Sequence, residues 1–345
     1  MNRVTVYGFG SRGRDVVDQI LTQGREVSMI FDRAPGQPTY RGVPVCNLDT
    51  PEARACAAGS HCVIGLHNSY VDIHEVYLSL KEARARPLSL INATQADLKL
   101  AIGQGFWLDP TSPSFHISDE DAGWILETLA DERSCEVFNA LKRYRETGDI
   151  ADCPFPSITD EYTPTDLPRY LEPLRLLDCG AYTGVAYRKF AKHYAIQKYM
   201  AFEPDPKNFT GLSSHTFPCD EVTLLPLGVW SKTEVLRFSV GKDMGSNIDS
   251  AGESLIQCVA VDDVVQTFDT NLIKFDIEGA EMNGLLGMRR LIQKHRPSLC
   301  ISVYHRPEDL VELPKLIASW DLDYKLHLRN HEHNGFGTVL YAHPQ

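Results

Sequence analysis

The stretch LLDCGAYTG, residues 176–184, decides the fold. Leu176 and Leu177 read as a buried strand, Asp178 stands at its end, Gly180 follows at once and Gly184 comes four residues later. A strand running into D-x-G-x-x-x-G opens into a helix through a turn that glycines permit and most residues resist. This loop is wider than a diphosphate cradle and leaves the backbone room for an amino-acid moiety, with Tyr182 in its middle. The next apolar run ends AFEP at 201–204, which sets Glu203 where one carboxylate can take both hydroxyls of a ribose. Asp178 has two readings, a cofactor contact or an acid that accepts N–H bonds from the turn. The recurrence of an acid at Glu203 favours the first, so the expected cofactor-binding residues here are Asp178, Gly180, Tyr182, Gly184 and Glu203.

Outward from that turn, seven short apolar runs alternate with helical segments: LRLLDCG, KYMAFEP, VTLLPLG, LIKFDIE, SLCISVY, YKLHLR and TVLYA. Such punctuation describes an α/β sheet. Upstream, VTVYG, EVSMIFD, CVIGLH and LSLINA surround an amphipathic stretch carrying Val16, Val17, Ile20 and Leu21, so a first, parallel sheet is expected there. From 118 to 147 the pattern is helical, with Ser118 as N-cap, Asp121 three residues on, and a buried face of Trp124, Ile125, Leu129, Phe138, Leu141 and Tyr144. The stretch DCPFPSITDEYTPTDLP holds four prolines and reads as a connector. The expectation is an α/β protein with two doubly wound sheets: a Rossmann-like nucleotide-binding domain over 1–115, a helical connector over 116–165, and a second α/β domain over 166–345.

Composition narrows the function. The 345-residue chain carries a formal charge of −12, and because residues 1–115 are balanced, the whole surplus lies downstream. That argues against nucleic acid as a partner, since phosphate backbones need clustered Lys and Arg. No stretch approaches the roughly 20 apolar residues of a membrane span, and MNRVTVYGFG lacks the basic and apolar blocks of a signal peptide, so a cytoplasmic location is expected. The nine cysteines form no C-x-x-C pair, and neither disulfides nor a thiolate metal site is expected.

The N-terminal YGFGSRG places Gly8, Gly10 and Gly13 in G-x-G-x-x-G spacing between a strand and a helix, with Asp32 closing the second strand. These glycines suit close approach of a diphosphate, and Asp32 suits ribose hydroxyls. The plain alternative is a sharp strand-to-helix turn that binds nothing. YGFGSRGRDVVDQI and the later FDRAPG look like the nucleotide-sugar-binding domains that precede some sugar acyltransferases, a resemblance covering about the first hundred residues. It implies a nucleotide or nucleotide-sugar in that domain.

A second resemblance is broader. LLDCGAYTG, AFEPDPKNF, LPLGVWS, VAVDDV, LIKFDIEGAE and SVYHRPEDLVELPKLI, in this order, resemble FkbM-type S-adenosylmethionine-dependent methyltransferases over roughly residues 170–345, and YKLHLRNHEHNGFGTVLYA looks like the end of that family's domain. The resemblance implies a class I methyltransferase sheet of seven strands with the last antiparallel, S-adenosylmethionine held by Gly180, Gly184 and Glu203, and O-methylation of a hydroxyl on a carbohydrate, glycoconjugate or natural-product precursor. Cys179 and the HEHNGFG segment depart from the family's pattern, and the acceptor is not carried across.

The most specific element, LIKFDIEGAE at 272–281, ends an apolar run in Asp276, Glu278 and Glu281. Glu278 and Glu281 read as first-turn charges on a helix whose positive dipole end favours anions, with Met282, Leu285, Leu286 and Leu291 as its apolar side. Asp276, at the strand's C-terminal end, is the expected catalytic carboxylate, able to orient a hydroxyl or an ammonium. An unperturbed Asp is a weak base for a sugar hydroxyl, which makes His305, after the next strand, the better-matched proton acceptor. Asp276 and Glu278 with Asp262 or Asp263 would suit Mg²⁺, but this use is less favoured, zinc spacing is absent, and no metal ligand is assigned. Two other functions stay open: an N-terminal NAD(P)-dependent oxidoreductase fused to the methyltransferase, and a regulator that binds nucleotide or S-adenosylmethionine without turnover. The expected partner is a small-molecule or carbohydrate acceptor, and self-association as a homo-oligomer is open.

Overall fold

The computed structural model describes residues 4–95, 98, 100, 106–110, 112–157, 160–239, 247–248 and 251–345. Its first sheet contains β1 (Val4–Tyr7), β2 (Val27–Phe31), β3 (Thr39–Tyr40), β4 (Val43–Cys46), β5 (His61–Ile64) and β6 (Arg86–Leu88), in the order β3-β4-β2-β1-β5-β6. All neighbours pair in parallel except β3, which turns back on β4. Val6, Ile30, Phe31 and Val63 bury this sheet against Val16, Val17 and Ile20 of the helix Ser11–Thr22. LSLINA, expected as a strand, divides: β6 stops at Leu88, and the Ser89 hydroxyl accepts the Asn92 N–H at 3.1 Å to open the helix Leu90–Gln95. A hydroxyl placed to cap outweighs the β-branched pattern that follows it.

The helix Ser11–Thr22 seats on the turn before it with no space to spare. A Cβ at Gly13 would lie 1.9 Å from the Gly8 carbonyl oxygen. Gly13→Ala is therefore expected to lower unfolding stability by about 1–3 kcal/mol, the usual range for overpacking. Urea denaturation checks this, and a wild-type midpoint would show that the helix can lift off the turn.

Downstream run β7 (Leu174–Cys179), β8 (Ile196–Phe202), β9 (Glu221–Leu225), β10 (Gly228–Val229), β11 (Glu234–Ser239), β12 (Asn247–Ile248), β13 (Ser254–Val259), β14 (Leu272–Phe275), β15 (Ser298–Ser302), β16 (Tyr324–Asn330) and β17 (Thr338–Pro344). The seven apolar runs read from the sequence all fall in one sheet, ordered β16-β17-β15-β14-β7-β8-β9. β17, the last strand, lies antiparallel between β15 and β16, as expected of a class I methyltransferase sheet. The four-stranded sheet β10-β13-β11-β12 is not anticipated in the sequence reading. Its strands alternate, with Phe238, Ile256 and Cys258 buried and Val235 and Leu255 exposed.

Two helices, Asp119–Thr128 and Glu132–Thr147, cover part of the larger sheet. Ser118 Oγ accepts the Asp121 N–H at 3.0 Å and donates to the Asp121 carboxylate at 2.8 Å, the expected cap. Ile125, Phe138 and Leu141 share one apolar core with Phe275 and Leu340, while Trp124 and Leu129 are half-buried at its margin. The two large sheets meet along a hydrogen-bonded seam. The Trp107 N–H donates to the Tyr304 carbonyl at 2.9 Å, and Trp107 Nε1 donates to the Asn334 carbonyl at 3.2 Å. Asn334 Nδ2 in turn donates to the carbonyls of Asn68 and Val71 at 2.6 and 3.0 Å.

Candidate active site

The C-terminal ends of β7, β8, β14 and β15 border a cavity of about 800 Å³, the edge where open α/β sheets bind ligands. Gly180, Tyr182, Glu203, Asp276, Glu278 and Tyr304 line it, and the small sheet adds an apolar wall of Val229, Phe238, Ile248 and Ile256.

At Gly180, φ is +77° and a Cβ would stand 1.9 Å from the Asp276 carbonyl oxygen, so only glycine lets β7 and β14 end so close together. Gly184, with φ +79°, forms the N-cap of the helix Val185–Ala191 and packs against Phe217; it does not line the cavity. Glu203 ties two loops: its Oε2 accepts the Tyr182 N–H at 2.8 Å and its Oε1 the Asp205 N–H at 2.9 Å. Burial pushes its carboxyl up, against those N–H groups and Lys274, which favour the ionised form. Tyr182 itself is half-exposed at the rim.

Asp178 lies behind the cavity, fully buried. Lys274 stands beside it in register on β14, with Nζ 3.2 Å from Asp178 Oδ1, and the Tyr199 hydroxyl donates to Oδ2 at 3.0 Å. The expected cofactor contact is thus a buried ion pair that fixes the strand ends. Of the N-terminal candidates, Gly8, Gly10, Gly13 and Asp32 lie outside this cavity. Asp32 accepts the Phe9 N–H at 2.7 Å and the Ala34 N–H at 2.9 Å, and so fastens the glycine turn to β2. Gly10 has open space at its Cα.

Asp276 is where the charges converge. Its Oδ2 accepts the Tyr162 hydroxyl at 3.0 Å, Lys274 Nζ stands 3.9 Å from Oδ2, and His305 Nε2 lies 3.3 Å from Oδ1. Burial opposes its charge, yet Lys274 and His305 hold its carboxyl below the usual range. Burial likewise disfavours a charged Lys274, but Asp178 and Asp276 keep that ammonium protonated, and it donates to the Gly180 carbonyl at 2.6 Å.

His305 changes role. Its Nδ1 is 2.9 Å from Glu281 Oε1, and Nε2 faces Asp276 and, at 3.8 Å, Glu278. Burial lowers its pKa, but the three carboxylates win and push it up to about 10. At neutral pH it is an imidazolium and has no lone pair for a substrate proton. Glu281 is also more than a helix-start charge: fully buried, it accepts the Ile277 N–H at 2.8 Å and anchors His305. The helix begins at Glu281, so Glu278, with φ +56°, precedes it and does not share its first turn. Burial, reinforced by Asp276 and Glu281 and opposed by His305, brings the Glu278 carboxyl to about 7. Leu286 is exposed, because the chain breaks after it and restarts as Arg289–His295.

Among the lining residues that escaped the sequence reading are Glu161, Tyr162, Lys189, Lys274 and Glu332. Lys274 had a signal, a charge inside the apolar run LIKF that demands a buried partner. Glu161 and Tyr162 sat in a proline-rich stretch read as connector. Lys189 Nζ donates to Glu161 Oε2 at 2.5 Å and lies over the Tyr162 ring. Asp262 and Asp263 serve elsewhere: Asp262 accepts the Arg290 and Leu291 N–H groups at 2.8 Å, and Asp263 pairs with Arg290 at 3.0 Å. Among the described residues no group of three His, Cys, Asp or Glu is arranged to hold a metal ion, and no helix is long and apolar enough to cross a membrane.

Comparison with known proteins agrees with this geometry. Residues 178–326 match the family model described as the methyltransferase FkbM domain. A crystal structure of the methyltransferase FkbM from Methylobacillus flagellatus KT is similar with a TM-score of 0.79 at 23% identity, covering 99% of this chain and 90% of that one. No curated protein matches the chain. A methyltransferase domain implies S-adenosylmethionine, and the residues fit it: a glycine-lined turn at Gly180, an acid at Glu203 and an apolar wall opposite share one cavity of sufficient volume. Residues 178–326 therefore form an FkbM methyltransferase domain, and the protein is a methyltransferase.

Proposed function

We propose that this methyltransferase transfers the methyl group of S-adenosylmethionine to a hydroxyl of a carbohydrate, glycoconjugate or natural-product precursor. The observation that carries the reading is Asp276: a carboxylate kept ionised by Lys274 and His305, facing the same cavity as Gly180 and Glu203. The bound cofactor supplies an electrophilic methyl on a sulfonium. This chain's residues do the rest. The Glu203 carboxylate oxygens, each with a lone pair left after one N–H bond, accept the ribose hydroxyls. Asp276 would accept the acceptor hydroxyl and turn its oxygen towards the methyl carbon; as the O–C bond formed and the sulfonium's C–S bond broke, its electron pair leaving with sulfur, the hydroxyl proton would pass to an Asp276 oxygen.

The same reading divides the chain into 1–115 with the first sheet and 166–345 with the transferase sheet, the helices within 116–165 packing on the latter. A nucleotide at Gly8, Gly10 and Gly13 has less support, since these residues and Asp32 lie outside the cavity that Gly180 and Glu203 line. Calorimetry with S-adenosylhomocysteine and mass spectrometry of a panel of hydroxylated acceptors, sugar nucleotides included, test the function. Within that test, Glu203→Ala is expected to weaken S-adenosylhomocysteine binding by about 1–3 kcal/mol, because two hydroxyls lose a charged acceptor. An unchanged dissociation constant in a folded variant would remove Glu203 from the site.

A further inference from the structure

We infer that the acceptor is held at the seam between the two sheets, in a subsite that pairs Ser69 with Glu332 and Glu278, and that the part of it entering the site is an uncharged, polyhydroxylated group. This rests on the transferase reading and adds to it where the acceptor binds and what charge it carries.

Ser69 lines the cavity, although it belongs to the segment after β5 in the first sheet. It is fixed there. The His333 N–H donates to the Ser69 carbonyl at 3.1 Å, and Asn334 grips the carbonyls of Asn68 and Val71 on either side. Aromatic packing backs the seam, with His67 against Phe336 at 4.7 Å and Phe106 against Phe336 at 4.9 Å. The cofactor candidates Gly180, Tyr182 and Glu203 all come from the turns after β7 and β8. That leaves the lining from Ser69, Tyr304 and Glu332, on other segments, for the second substrate.

Charge then selects the class. Glu161, Asp276, Glu278 and Glu332 all line the cavity. Of the lysines that line it, Lys189 pairs with Glu161 and Lys274 with Asp178, while Lys207 stands in the helix after β8, on the side of the cofactor candidate Glu203. Among the described residues, a phosphate or carboxylate held at Ser69 and Glu332 would meet carboxylates and lysines already paired with acids, a repulsive element that discriminates against anions. Hydroxyls suit the site in both directions. Burial brings the Glu278 and Glu332 carboxyls to about 7, so each exists as donor and as acceptor near neutral pH, matching groups that are themselves both.

The test is saturation-transfer NMR on the full chain loaded with S-adenosylhomocysteine, with methyl glycosides of glucose, mannose and rhamnose as neutral probes and glucose 6-phosphate and methyl glucuronide as anionic ones. The neutral probes are expected to bind and the anionic ones to bind at least about tenfold more weakly. Ser69→Trp, and Ser69→Leu should the larger residue impair folding, are expected to weaken the neutral probes at least about tenfold while leaving S-adenosylhomocysteine affinity within about twofold. Equal binding of the anions, survival of neutral binding in both variants, or no neutral binding to a protein that binds S-adenosylhomocysteine overturns the subsite. Failure of the wild type to bind S-adenosylhomocysteine overturns the transferase reading beneath it.

Discussion

Asp276→Asn lowers kcat at least about a hundredfold while S-adenosylhomocysteine affinity stays within about twofold, the pattern of a group that acts on the reacting atoms. Asparagine keeps the side chain's shape and can still accept the Tyr162 hydroxyl, now at 3.0 Å. It cannot take a proton, and it leaves Lys274 and His305 without the anion between them. Of its neighbours, His305 already carries its proton, and Glu281 is buried against it. Single-turnover methyl transfer followed by mass spectrometry separates this from a binding defect. A near-wild-type rate would remove Asp276 from the chemistry.

Lys274→Met destabilises the fold by about 3–5 kcal/mol, the cost of stranding a buried charge by removing its partner. Asp178 has no solvent exposure, so its carboxylate would keep only the Tyr199 hydroxyl, and the Gly180 carbonyl would lose its donor. The double variant Lys274→Met, Asp178→Asn removes both charges and recovers at least about half of that loss, since the penalty belongs to the unpaired ion more than to the missing pair. Urea denaturation of the wild type, Lys274→Met, Asp178→Asn and the double variant decides it. Strict additivity of the two single losses would mean that Asp178 and Lys274 are not energetically coupled.

The seven strands of the transferase sheet were legible because each is a short apolar run bounded by Gly, Pro or charge, a signal contained within a few residues. The small sheet was not, because β11 and β13 expose Val235 and Leu255 and so lack the continuous apolar run by which the other strands were read. Glu203 was legible as an acid one strand beyond a glycine turn. Asp178 carried the same signal, but sequence spacing does not show that Lys274 sits opposite it in register. His305 was legible, but the upward push on its pKa was not: it comes from Glu281, Glu278 and Asp276, and their distances exist only in the folded chain. Ser69 and Glu332 were invisible for the same reason, being on different sheets and far apart in the chain.

The place of β17 bears on how the molecule is made. It follows every other strand of its sheet in the sequence, yet it lies between β15 and β16, which have no direct pairing with each other. During synthesis β14 and β15 can join β7 as they emerge, but β16 has nothing to pair with until Thr338–Pro344 has left the ribosome. Until then two strand edges stand open, the kind of surface that recruits other chains. Ribosome-stalled or nicked chains lacking β17 will accumulate as aggregates, and refolding will be slow at the step that threads this strand into an interior position.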